Sequence, residues 1–86
     1  MNPQYAEPYN IRGICLAKLG DYESALKSYD MAIEAKSDYA SPYWNKATVL
    51  KLLNKESDSD ECYIKAVDLN PGLTTLSRTD TKHFEK

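Results

Sequence analysis

The sequence predicts an all-α fold: two antiparallel helix pairs, four main helices in all, followed by a shorter capping helix. Three observations carry this expectation. The chain repeats itself at a period of 34 residues. Within each repeat, apolar and small residues recur at helical three-to-four spacing. Three glycines and four prolines are few enough to leave most of the chain free for regular structure.

The repeat appears when residues 6–39 are set above residues 40–73. Identical residues then align at Ala6/Ala40, Pro8/Pro42, Tyr9/Tyr43, Leu16/Leu50, Leu19/Leu53, Tyr29/Tyr63 and Ala32/Ala66, without a gap. Gly13/Ala47, Arg12/Lys46, Ile33/Val67 and Glu34/Asp68 are close matches. These matches fall where helix packing needs them, which marks each 34-residue unit as one supersecondary element.

In unit one, the first helix is read from Tyr9, Gly13 and Leu16, with Leu19 off to one side. Gly20 and Asp21 end it, because Gly takes positive φ at a helix end and Asp caps the next helix. The second helix carries Ala25, Leu26, Tyr29, Ala32 and Ile33. In unit two, Ser41-Pro42 is the expected helix start, a cap followed by a first-turn proline. Tyr43, Ala47, Leu50 and Leu53 form its stripe. Asn54 replaces Gly20, since Asn tolerates the left-handed region best after Gly. Tyr63, Ala66, Val67 and Leu69 form the last stripe, which Pro71-Gly72 stops. Gly13 and Ala47 stand mid-helix, where Gly costs about 1 kcal/mol relative to Ala. Such small residues, with Ala25, Ala32 and Ala66 opposite, are expected to let two helices approach closely. Tyr29 and Tyr63 then fill the space between neighbouring pairs.

Composition narrows the function. A chain of 86 residues is one small domain. Eleven basic residues against thirteen acidic ones give a net charge of -2, which argues against nucleic-acid binding. Membrane binding is disfavoured because the basic residues do not cluster and no apolar run is long enough to span. Cys15, Cys62 and His83 show no metal-ligand spacing, so no metal or cofactor is expected. The two cysteines are expected to be buried, reduced thiols. Together with the lack of a targeting pattern they imply a cytoplasmic location. No nucleophile elbow or phosphate loop is present, so no enzyme activity is expected.

These residues resemble the tetratricopeptide repeat. Unit one reads Tyr9-x-x-Arg12-Gly13-x-x-Leu16 and then Ala25-x-x-x-Tyr29, with Ser37 where the pattern has Pro. Unit two reads Tyr43-x-x-Lys46-Ala47-x-x-Leu50 and then Ser59-x-x-x-Tyr63, with Pro71 in place. The resemblance covers residues 6–73 and implies a right-handed superhelical stack of helix pairs. There are departures. Arg12 and Lys46 replace the usual Leu, so the position is less buried or its charge snorkels. Glu56 and Ser59 replace the Tyr and Ala of unit one, so the fourth helix is expected to begin loosely and pack less tightly. Residues 1–5 read as the tail of a preceding repeat or an extension, and residues 74–86 as a capping helix or a disordered tail. The chain is therefore expected to be a segment of a longer array, or one end of it.

The resemblance implies a protein–protein interaction module that binds an extended or helical peptide on a concave face lined by the first helix of each unit. The candidate surface is Asn10, Ile14, Ala17, Lys18, Trp44, Thr48, Lys51 and Leu52. Trp44 is its most informative member, because neighbouring Tyr43 already serves as the packing aromatic. Lys18 and Lys51 favour an acidic partner. Family members that clamp the acidic tails of chaperones use a Lys, Asn, Asn, Lys, Arg set. Only Asn45 matches it; Ile14 takes the place of an Asn, Asn10 that of a Lys, and Thr75 and Thr79 those of the last two basic residues. The alternative is a structural, self-associating segment of a repeat array, a monomer or a weak end-to-end dimer.

Overall fold

The computed structural model describes residues 2–73. The expected capping helix at 74–86, with His83, Thr75 and Thr79, lies outside them. Four α-helices follow a short 3-10 turn at Pro3–Tyr5: α1 (Ala6–Lys18), α2 (Tyr22–Ala35), α3 (Ala40–Leu52) and α4 (Glu56–Leu69). Helix α1 pairs with α2 and α3 with α4, and α2 packs on α3 to join the two pairs.

The turn inside each pair has the same hydrogen bonds in both units. Asp21 N–H donates to Leu16 O at 2.9 Å and Gly20 N–H to Ala17 O at 3.0 Å. In unit two, Lys55 N–H donates to Leu50 O at 2.9 Å and Asn54 N–H to Lys51 O at 3.0 Å. This pattern needs a left-handed residue just beyond the helix. Gly20 supplies it at φ 85° and Asn54 at φ 65°. Asp21 then caps α2 by accepting from Ser24 N–H. The connections between units also recur. Tyr5 N–H donates to Asn2 O, Tyr39 N–H to Lys36 O and Leu73 N–H to Asn70 O, at positions 34 residues apart. The Asn2 and Asn70 side chains accept from Gln4 N–H and Gly72 N–H respectively.

Close packing within each pair rests on small residues. Ala25, Ala32, Ala47 and Ala66 are completely buried. Tyr29 is buried against α1, and a Cβ built on Gly13 would run into its ring, with Cδ1 at 2.6 Å. Glycine is therefore required there by contact, although it weakens the helix locally. The core around Tyr29 gathers Ala25 and Val49, with Ile14, Leu16, Tyr22, Leu26 and Leu53 packed against it.

Several expectations are corrected. The cap of α3 is Tyr39, not Ser41: the chain leaves the α2–α3 turn extended at Tyr39 and enters the helix at Ala40. Pro42 still lies in the first turn, where a missing N–H leaves no intrahelical bond unmade. Helix α4 does begin without a side-chain cap, but Ser59 does not pack loosely. It is only 1% exposed, and its hydroxyl donates to Ala47 O at 2.8 Å. A buried hydroxyl with a partner packs as a slightly larger alanine. Cys15 is exposed and Cys62 half-buried, so neither is a core thiol. Leu19 is also exposed rather than part of a packing stripe.

Lys46 shows how a charge replaces an apolar residue. It lies half-buried between the units with Nζ 2.6 Å from Asp30 Oδ1. Burial pulls its pKa down, but the hydrogen bond and charge of Asp30, helped by Cys62 and Asp58, outweigh this and leave it raised. A raised lysine pKa stabilises the fold fully below the unfolded value, and that contribution is lost as pH rises through the folded one. Both side chains are partly solvated, so the pair contributes at most about 1 kcal/mol.

Two outcomes are expected. Gly13→Ala gains about 1 kcal/mol of helix propensity, but overpacking against Tyr29 costs about 1–3 kcal/mol. Thermal denaturation should therefore show a net loss, and a double-mutant cycle with Tyr29→Leu should show strong coupling. Lys46→Met should lower stability at neutral pH, with the difference from wild type shrinking above the ordinary lysine range in a pH series of urea melts.

Candidate peptide-binding groove

Helices α1 and α3 run beside each other on one side of the stack and form a groove of about 250 Å³. Their spacing follows from α2, whose Tyr29 ring forms part of the groove floor. Ile14, Ala17 and Lys18 come from α1, one turn apart or adjacent on its exposed side. Trp44, Asn45, Thr48, Val49 and Leu52 come from α3 by the same spacing. The surface is mainly apolar, with Lys18 at one edge.

Six of the eight residues singled out from sequence line this groove: Ile14, Ala17, Lys18, Trp44, Thr48 and Leu52. Trp44 is half-buried, with its ring edge-on to Tyr63 of α4 at 4.8 Å between centroids. It is thus held by its own helix pair while facing the groove. The Thr48 hydroxyl donates to Trp44 O at 3.1 Å. Lys51 is exposed in the last turn of α3, outside the groove lining.

Asn10 lies differently. It is only 5% exposed, and both ends of its amide are used internally. Its Nδ2 donates to the Tyr39 hydroxyl at 3.4 Å, and its Oδ1 accepts from Asn45 Nδ2 at 3.0 Å. Helical spacing puts Asn10 away from the α1 packing stripe, but α3 covers it. It acts beneath the surface by setting the register of α1 on α3.

Tyr29, Asn45 and Val49 are groove residues outside the surface expected from sequence. Tyr29 has the spacing of a core residue, and it serves both places: it packs with Ala25 and Val49 and also lines the groove. The one-turn spacing Asn45, Val49, Leu52 is the signal that points to Val49.

A larger cleft of about 460 Å³ lies between the first turn and the α2–α3 connection. Its walls are Pro3 and Gln4 of the 3-10 turn, Ala6 and Glu7 at the start of α1, and Lys36 and Tyr39, with Lys36 drawn over the Tyr39 ring at 5.9 Å.

The tetratricopeptide repeat pattern matches residues 6–39 and again residues 40–73. The chain belongs to the tetratricopeptide repeat family. An uncharacterized protein of Methanocaldococcus jannaschii is 32% identical over 73 residues, which is 85% of each chain. Mouse tetratricopeptide repeat protein 12 is 32% identical over 65 residues, 76% of this chain but 9% of the mouse protein. No solved structure matches the chain. Tetratricopeptide repeats are in general protein–protein interaction modules. Among the described residues, no helix is long and apolar enough to cross a membrane.

The polar pair under the groove has a testable weight. Asn10→Ala leaves the Asn45 amide without its acceptor in a part-buried place, which costs about 1–3 kcal/mol. A urea melt should show this loss.

Proposed function

We propose that this chain is a scaffold segment that binds a peptide of a partner protein on the concave face formed by α1 and α3, with no chemistry of its own. The observation that carries this reading is the convergence of Ile14, Ala17, Trp44 and Leu52 on one apolar groove with Lys18 at its edge. Small-molecule sites run to about 300–1,000 Å³. A groove of about 250 Å³ suits one or two apolar side chains of a longer ligand better than a whole small molecule. Lys18 and Lys51 both stand exposed in the last turns of their helices and favour a peptide with acidic residues beside its apolar anchor. Asn45, the one position matching a chaperone-tail clamp, is tied to Asn10, which disfavours that ligand. The two free thiols favour a reducing compartment, the cytoplasm.

Trp44 is the sole tryptophan, so its fluorescence reports on the groove directly. Peptides with one aliphatic or aromatic anchor flanked by acidic residues should shift its emission on titration. The same peptides with basic flanks should bind more weakly. Trp44→Ala, followed by calorimetry, should weaken binding by roughly 2 kcal/mol, the scale of a buried aromatic anchor. Lys51→Glu should reduce the preference for acidic flanks. Equal binding by wild type and by the Trp44→Ala, Lys51→Glu double variant would remove the proposal.

A further inference from the structure

Tyr29 is a core residue with a hydroxyl that the core does not use. Two other tyrosines, Tyr39 and Tyr43, are half-buried, and both of their hydroxyls meet protein groups. Tyr39 Oη accepts from Asn10 Nδ2 at 3.4 Å, and Tyr43 Oη donates to Ser37 O at 3.3 Å. Tyr29 is buried more deeply than either, at 2% exposure. Yet its hydroxyl has no hydrogen-bond partner among the described residues. Among those residues, no side-chain oxygen or nitrogen is both sealed from solvent and unpartnered. The hydroxyl is therefore the point at which Tyr29 opens to the surface, and the surface it reaches is the groove between α1 and α3.

The hydroxyl is also held in place. Contact with Gly13 runs along the ring from Cδ1 to Cζ, so the ring is fixed up to its tip. Neighbouring polar groups in the groove are already engaged: the Thr48 hydroxyl by Trp44 O, and Asn45 Nδ2 by Asn10 Oδ1. Burial, helped by Cys15, pushes the Tyr29 pKa up. At neutral pH the group is thus an intact O–H that both donates and accepts.

The walls around it are apolar, with Ile14 and Ala17 on one side and Trp44 and Leu52 on the other. A ligand side chain that fills this space drives water off the hydroxyl. A hydrocarbon tip then leaves the hydroxyl unpaired, which weakens binding. An amide tip brings more polar atoms than one hydroxyl satisfies. A phenol meets both demands, with an apolar ring for the walls and a hydroxyl at its tip for the floor.

We propose that the Tyr29 hydroxyl is a specificity-determining group of the groove, and that the anchor it selects is a tyrosine of an acidic partner peptide. The inference rests on the peptide-binding reading above and narrows its anchor. The ligand hydroxyl bonds with Tyr29 Oη on the floor, while the acidic flanks meet Lys18 and Lys51 outside.

Calorimetry with two acidic-flanked peptides, identical except for Tyr or Phe at the anchor, tests this. The wild-type chain should bind the Tyr peptide roughly tenfold more tightly, the scale set by leaving a buried hydroxyl unpaired. Tyr29→Phe should lose that preference and bind the Phe peptide at least as well as wild type does. Its urea melt should match wild type, because the hydroxyl bonds nothing within the fold. Equal binding of the two peptides by wild type, or a preference that survives in Tyr29→Phe, would overturn the inference and leave the groove reading standing. A clear loss of stability in Tyr29→Phe would do the same, since the fold would then hold the hydroxyl. Failure of wild type to bind either peptide would remove the groove reading and this inference with it.

Discussion

The contact between the Tyr29 ring and the bare backbone of Gly13 is the constraint on which the rest depends. It draws α1 and α2 together until Ala25 and Ala32 lose all solvent contact. It also places the ring against Val49 of unit two and in the lining of the groove. A larger residue at position 13 would push Tyr29 outward, part α1 from α2 and change the spacing of α1 and α3. Stability and the shape of the binding surface are thus coupled through one ring. In unit two the corresponding contact is looser: Ala47 has a methyl, and Tyr63 is only half-buried and packs against Trp44.

The polar contacts between units act where apolar packing alone would leave the register free. Small side chains permit close approach but do not choose among nearby alignments. The Asn10–Asn45 bond, with Tyr39 closing it, ties α1 to α3, and Lys46–Asp30 ties α3 to α2. Each inter-unit contact is thus pinned by a directional bond. The Lys46 pair also explains how a cation occupies a place where the family usually has Leu: its stem covers the apolar surface and its head meets a carboxylate.

Much of the fold is legible in the sequence because helical structure writes local signals. The period of 34, the turns at Gly20 and Asn54, and the small residues at 13, 25, 32, 47 and 66 all report local backbone or packing needs. Ile14, Ala17, Trp44 and Leu52 are legible as groove residues for the same reason, since spacing along a helix says which side a residue occupies. What is not legible depends on neighbours. Cys15 and Val49 occupy equivalent positions in sequence, yet one is exposed and the other buried, because among the described residues only α3 has a helix on that side. Asn10 has the spacing of an available residue, but α3 covers it from across the stack. Ser59 reads as a weak substitute for alanine, and only its bond to Ala47 O shows why it packs tightly.

Residue order alone therefore specifies the repeat, its helix pairs and the side each residue takes on its own helix, since those follow from spacing along a single helix. Which of those sides meets protein and which meets water is decided by tertiary packing. The cause is geometric: burial belongs to a pair of surfaces, so equivalent positions in two similar units differ when only one of them faces another helix.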